Sequence, residues 1–377
     1  MKICKDCFAD EILKNEVNIA ERQASCDICS NSNVCVYDTQ CDDYLIPFLS
    51  SLVSIFSPVD KIENFPVGQE TLLKTEIATN WNIFTTKDEF KIHQMLSEIC
   101  KNLFEESPEL LTHPVGVKQM YDPIYLKDHS LFSKSWEDFV DDIKYNNRFH
   151  SNQINKCILR KYCEAIQKTY SEGEQFYRCR ISKDGKPFKS EGIGAPPKGK
   201  SADGRANPKG VVMLYLSDSE TTTIHETRTG LYDHVCIGTF KLKSAITVID
   251  FKKIIEISPF QDGIIDDLAE LAINKKNLKK IDSEMGRVMR NSDDILDYIP
   301  TQYIADFVKS LTKPISGELI YQGIEFRSVM NPEGFNLAIF TPDCFEVTDI
   351  RMKRINHISY SLQLVDEKTV YLEIFYV

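Results

Sequence analysis

Two cysteine pairs near the start of the chain restrict its fold more than any other feature. Cys4 and Cys7 form one C-x2-C pair and Cys26 and Cys29 a second, with eighteen residues between them. Each C-x2-C turn aims two thiolates at one point, and two such turns complete a tetrahedral shell around a single ion. Zinc is the expected metal. Four thiolates leave no open coordination position, so the expected role is structural rather than catalytic. Cys35 and Cys41 stand outside this spacing, and the other six of the twelve cysteines are scattered singly, several in apolar surroundings. Met1–Cys7 has no apolar core after its lysine, so a secreted, disulfide-framed protein is not expected. A nucleic-acid-reading finger would need a basic face. The spacer instead sets Asp10, Glu11, Glu16 and Glu21 against Lys14 and Arg22.

The length of 377 residues implies two or three domains, each able to bury a core. A net charge of −11 argues against nucleic-acid or acidic-membrane binding by the whole surface. The longest uncharged run, Tyr44–Val59, is interrupted by Pro47 and several serines and falls short of the roughly 20 apolar residues of a membrane span. A buried helix or helix pair is expected there, and a cytoplasmic location for the protein. Apolar residues at 92, 95, 96, 99, 100 and 103 mark one face of a helix over 88–104. Stretches 135–140 and 154–166 read similarly, and Arg148 and His150 are too close in sequence to share a helical face, so a loop or packing role is expected. These readings divide the chain into a zinc-binding module (1–41), a helical adaptor (42–170) and a third domain (171–377).

After Ser171–Glu174 the texture becomes largely β. Strands are expected at 176–181, 211–216, 235–242, 245–251, 318–321 and 336–340, and in the alternating run to Val377. Helices are expected near 263–273 and 303–311, with Thr301 capping the latter. The fold class expected for this half is α+β, built around a bent sheet.

The third domain also holds the chemistry. Between Arg178 and Lys209 nine bases face three acids, a local charge of +6 in an acidic protein. Such contrast suits a discrete phosphate-bearing ligand, although the lysines from Lys183 to Lys200 read as solvation of a loop. Strand alternation puts Arg178 and Arg180 on one face, where two guanidiniums need anionic partners.

Arg178, Gly204-Arg205-x-Asn207-Pro208-x-Gly210, Leu214-Tyr215-Leu216-Ser217 and Glu226 together resemble the RES domain. So do Tyr298–Ala305, Gly323–Ser328 and Gly334–Leu337. The resemblance spans about residues 175–350, and the cysteine and helical segments are similar to the region that precedes RES domains in some larger bacterial proteins. It implies an ADP-ribosyltransferase-like fold and an enzyme that consumes NAD+, with Arg178, Glu226 and Ser328 as the catalytic set. NAD+ is the implied substrate, with Arg180, Arg205, Asn207, Tyr215 and Asn336 as its binding residues. Breaking the nicotinamide–ribose bond builds positive charge on the ribose, and a carboxylate beneath it, Glu226, would stabilise that charge. Arginines would clamp the diphosphate, Tyr215 would lie against a ring, and Ser328 with Asn336 would bind the ribose, the amide or an acceptor. Three readings stay open. One is a toxin or anti-phage effector that degrades NAD+ by hydrolysis or phosphorolysis. The others are an ADP-ribosyltransferase acting on a protein or nucleic acid, and an inactive zinc-containing binding module. An antitoxin or a trigger read by the N-terminal half, and a second copy of the chain, are partners the family allows.

Overall fold

The computed structural model describes residues 1–287 and 294–359. The cysteine segment folds as β1 (Lys2–Cys4), α1 (Glu11–Ile19), β2 (Gln23–Ala24) and β3 (Val34–Asp38), a small antiparallel sheet in the order β1-β3-β2. Asp10 starts α1 by accepting the amides of Ile12 and Leu13.

The helical segment contains α2 (Ile46–Val53), β4 (Phe56–Pro58), β5 (Thr71–Leu72), α3 (Leu73–Asn80) and α4 (Glu89–Ile99). It continues through α5 (Lys101–Glu106), α6 (Glu109–Thr112), β6 (Pro114–Val117), α7 (Pro123–His129), α8 (Trp136–Asp141) and α9 (Lys156–Ala165). The uncharged run at 44–59 is one helix followed by a strand rather than a helix pair. The helix expected over 88–104 is two, because Cys100 leaves helical geometry at ψ 31° and turns Phe104 inward. Asp88 caps α4, whose Ile92, Met95, Leu96 and Ile99 are buried as the spacing requires. After α8 the chain widens into one π-helical turn, Asp142–Asn146. Arg148 and His150 lie exposed in the loop beyond it.

The rest of the chain adds β7 (Gln167–Tyr170), β8 (Gln175–Ile181), α10 (Ser190–Ile193), β9 (Leu214–Ser217), α11 (Glu220–Glu226), β10 (His234–Leu242) and β11 (Ile246–Asp250). Then come α12 (Leu268–Met285), α13 (Ile299–Ser310), β12 (Gly323–Arg327), β13 (Phe335–Ile339) and β14 (Phe345–Arg354). The eight strands form one mixed sheet in the order β14-β10-β8-β9-β13-β12-β11-β7, with β11–β12 its parallel pair. The fold is α+β.

The strand read at 211–216 is Leu214–Ser217, and three further element positions differ from expectation. The strand read at 318–321 begins instead at Gly323, where a Cβ would meet the Ala338 carbonyl at 2.6 Å, while Leu319 makes an isolated bridge with Thr312. The helix read near 263–273 starts at the Asp267 cap and runs on to Met285. The helix read at 303–311 starts at Ile299, since Pro300 fits a first turn that has no use for its missing N–H. The last stretch of the alternating run, 360–377, lies outside the described residues.

Two features of this architecture build the site. Strands β8 and β9 share a single register pair, Tyr177 with Ser217, so the sheet opens between them. In addition, one hydrophobic cluster joins Ile3, Trp81, Phe139, Tyr162, Leu278, Val308 and Phe326, so all three segments of the chain contribute to the same core.

Candidate functional site

A cavity of about 620 Å³ lies where β8 and β9 part, within the ~300–1,000 Å³ usual for small-molecule sites. Arg178, Arg205, Tyr215, Glu226, Tyr298, Phe326 and Asn336 are among the residues lining it.

Arg178 fills the opening itself. Its Nη1 donates to the Tyr215 carbonyl at 2.8 Å, an oxygen on the strand that β8 fails to pair. Among the described residues its Nε, shut off from solvent, meets no acceptor, and no carboxylate pairs with the guanidinium. Burial, with Arg180 next, pulls its pKa down to about 10. A cation so placed stays charged at neutral pH but lacks the partner that burial demands.

Arg205 is anchored by carbonyls, Nη1 on Glu284 at 2.6 Å and Nη2 on Arg287, and lies 5.9 Å from the Phe326 ring. Burial lowers its pKa, against the pull of Tyr298 and Glu226. Its loop is tied down by a knot of hydrogen bonds. The Tyr215 hydroxyl donates to Asn207 Oδ1 at 2.7 Å and accepts from the Ala206 amide at 3.1 Å. Asn207 Nδ2 reaches Ser201, Ala202, Pro208 and Val211. Gly204 is required there, because a Cβ would stand 2.6 Å from the Tyr215 hydroxyl. Thr301, expected as a cap, instead donates to the Arg205 carbonyl at 2.8 Å, and Gln302 to those of Gly204 and Asn207.

Glu226 ends α11, a helix capped by Ser219 and fastened to β8 by the Cys179 amide donating to Thr223. Ser328 Oγ at 2.6 Å and Asn336 Nδ2 at 2.8 Å both donate to Glu226 Oε1. Ser217 in turn orients Asn336, and the Asn331 amide donates to Ser328. This arrangement fixes one carboxylate oxygen from behind and aims the group at the cavity. Two residues later Arg228 stands at the rim with φ 52°, a left-handed conformation that favours glycine.

The structure therefore brings Arg178, Arg205, Tyr215, Glu226 and Asn336 to one cavity, with Ser328 behind Glu226. It does not bring Arg180 or Asn207 there. Arg180 is exposed, donates to the Gly192 carbonyl and lies over the Phe188 ring, while Asn207 is 1% exposed and spends its side chain on its own loop. Alternation places Arg178 and Arg180 on one face, but only Arg178 sits at the split. Sequence reasoning assigned no site role to Tyr298, Met330 or Arg228. Tyr298 lies inside a stretch that carries the family resemblance, Arg228 was weighed only as a structural partner of Glu226, and Met330 had no signal.

The four cysteines form a second, separate site. Their sulfurs lie within 4.8 Å of one another, with Cys4–Cys7, Cys4–Cys29 and Cys7–Cys26 at 3.6, 3.5 and 3.7 Å. A tetrahedral shell with metal–sulfur bonds of about 2.3 Å puts its sulfurs about 3.8 Å apart, so the set fits one metal ion. Burial alone would raise the Cys26 thiol, yet the amides of Cys29, Cys4 and Ile28 overcome it and bring the pKa down to about 7.

No helix among the described residues is long and apolar enough to cross a membrane. A model of the RES domain matches residues 175–363. No curated protein and no solved structure gave a significant match.

Proposed function

The chain belongs to the RES domain family, whose members are tied to NAD-related, toxin-like activity in general, and from that premise we propose that it is an enzyme breaking the nicotinamide–ribose bond of NAD+. The reaction is hydrolysis or phosphorolysis, and its consequence is depletion of NAD+. One observation carries this reading: Glu226 is held from behind by Ser328 and Asn336 on the wall of a cavity whose deepest cation, Arg178, has no carboxylate partner among the described residues.

In this reading NAD+ enters with its diphosphate against Arg178 and Arg205. The terminal N–H groups of Arg178 not spent on the Tyr215 carbonyl and the remaining N–H groups of Arg205 are the donors. Tyr298 and Phe326 offer ring faces on the same cavity. Glu226 lies at the nicotinamide ribose and accepts from one of its hydroxyls. As the C1′–N bond breaks, its electron pair leaves on nicotinamide, and the carboxylate faces the positive charge that grows on the ribose. Water or phosphate then forms the new bond at C1′, and attacking water gives its proton to bulk solvent. Ser328 acts through Glu226, because its hydroxyl is already spent on that carboxylate. It is a positioning residue.

The cysteine site is assigned to zinc, as an all-thiolate set of this spacing favours, with a structural role. Purified protein incubated with NAD+, with and without phosphate, should release nicotinamide. Glu226→Gln should slow that release by about 10²–10³-fold, the usual cost of removing one preorganised electrostatic group. Absence of release, or a Gln variant as fast as the parent, would sink the proposal. Label carried from NAD+ onto a macromolecule would move the assignment to ADP-ribosyl transfer.

A further inference from the structure

We propose that Lys144, in the helical half of the chain, is a positioning residue of the cavity, acting through Asp297 on Tyr298 and Arg205. This rests on the functional reading above for its substrate, but its geometry stands independently. Lys144 Nζ donates to Asp297 Oδ1 at 2.7 Å, with the two side chains only 13% and 19% exposed. The other oxygen of Asp297 accepts from Arg287 Nη2 at 3.2 Å. The backbone carbonyl of that same Arg287 accepts from Arg205 in the cavity.

The path from the helical half to the cavity is thus short and continuous. Lys144 grips Asp297, and the neighbouring residue, Tyr298, lines the cavity. Asp297 grips Arg287, and Arg287 holds Arg205. Helix α13 strengthens the path, since Tyr303 packs edge-on against Phe139 at 5.2 Å and Thr301 and Gln302 hold the Arg205 loop. Lys144 also sits in the π-helical turn. One extra residue per turn re-aims the side chains beyond it, and such turns recur at functional positions. Lys144 is the leading cause of the lowered Asp297 pKa, so the carboxylate stays ionised as the strut requires.

A strut of this kind supports a group that binds substrate and transition state alike, and loss of uniform binding raises KM while leaving kcat. Lys144→Met in the full chain should raise KM for NAD+ roughly tenfold with kcat within about twofold, and Lys144→Arg should recover most of the loss. Amide exchange across 295–298 and 204–207, measured without nucleotide, should speed up in the Met variant. Lys280→Ala breaks another ion pair between the same two halves, Lys280–Glu137 at 3.0 Å, and should leave KM and this exchange unchanged. Asp297→Asn serves as the second variant should Lys144→Met fold poorly.

Unchanged exchange, or a fall in kcat at constant KM, overturns the strut, and so does a Lys280→Ala variant that shows the same rise in KM. Should the parent protein release no nicotinamide, the proposed activity fails, and the exchange measurement still decides the strut.

Discussion

The cysteine cluster and the split-sheet cavity solve opposite problems. All four sulfurs of the cluster come from within twenty-six residues, and each finds its complement in the others. The cavity draws on side chains from Arg178 to Asn336 and leaves its central guanidinium without a carboxylate partner among the described residues. In the proposed reading a metal ion completes the first arrangement, which stabilises, and an anionic substrate completes the second, which binds. Unpaired buried charge is costly, and a fold keeps it where the cost is returned on binding.

Three substitutions can break or sharpen that comparison. The largest effect belongs to the cluster. Cys26→Ser should remove about one equivalent of zinc and much of the ~10 kcal/mol that such sites contribute to folding in isolated peptides. Metal analysis and thermal unfolding would read the loss, and the fraction that stays folded should keep its KM for NAD+. A Ser variant with full zinc would refute the four-thiolate site.

Arg178→Met should act in the opposite sense on the two properties. NAD+ binding should weaken by about 10–100-fold, the worth of a charge-assisted contact. The ligand-free protein, relieved of a buried cation that has no carboxylate partner among the described residues, should melt at the same or a higher temperature. A variant that melts well below the parent would make Arg178 a structural residue and erase the contrast between the two sites.

Tyr215→Phe should have the smallest effect. It removes a hydroxyl that donates to Asn207 and accepts from Ala206, costing about 1–3 kcal/mol of stability. Substrate affinity should fall only through loosening of the Arg205 loop. A direct role against the ligand ring would appear instead as intact binding in the Phe variant with intact stability.

How much of this was legible in the residues depends on the distance over which each feature is specified. Cys4, Cys7, Cys26 and Cys29 could be paired by spacing because a C-x2-C turn sets its own geometry. The buried face of α4 followed from apolar periodicity, and Asp88 and Asp267 mark helix starts by capping chemistry. Arg178, Glu226 and Ser328 were recognisable together through their resemblance to a family. Their roles were not equally visible. Ser328 was read as a ligand contact, whereas it lies behind Glu226 and supports it. Tyr215 was set against a ring, but its hydroxyl is bound into the Gly204–Asn207 knot.

What the sequence by itself determined is therefore local: a thiolate set for one ion, the helix faces, the β texture after residue 171 and the company of residues that marks a RES domain. Tertiary structure alone decided that β8 and β9 touch at a single pair, which makes Arg178 a cavity residue and leaves Arg180, on the same face, at the surface. It also decided that Lys144 meets Asp297 across 153 residues. Strand alternation and helical periodicity fix which way a side chain points relative to its neighbours. They carry no information about where two elements separate, because that depends on how the whole core packs.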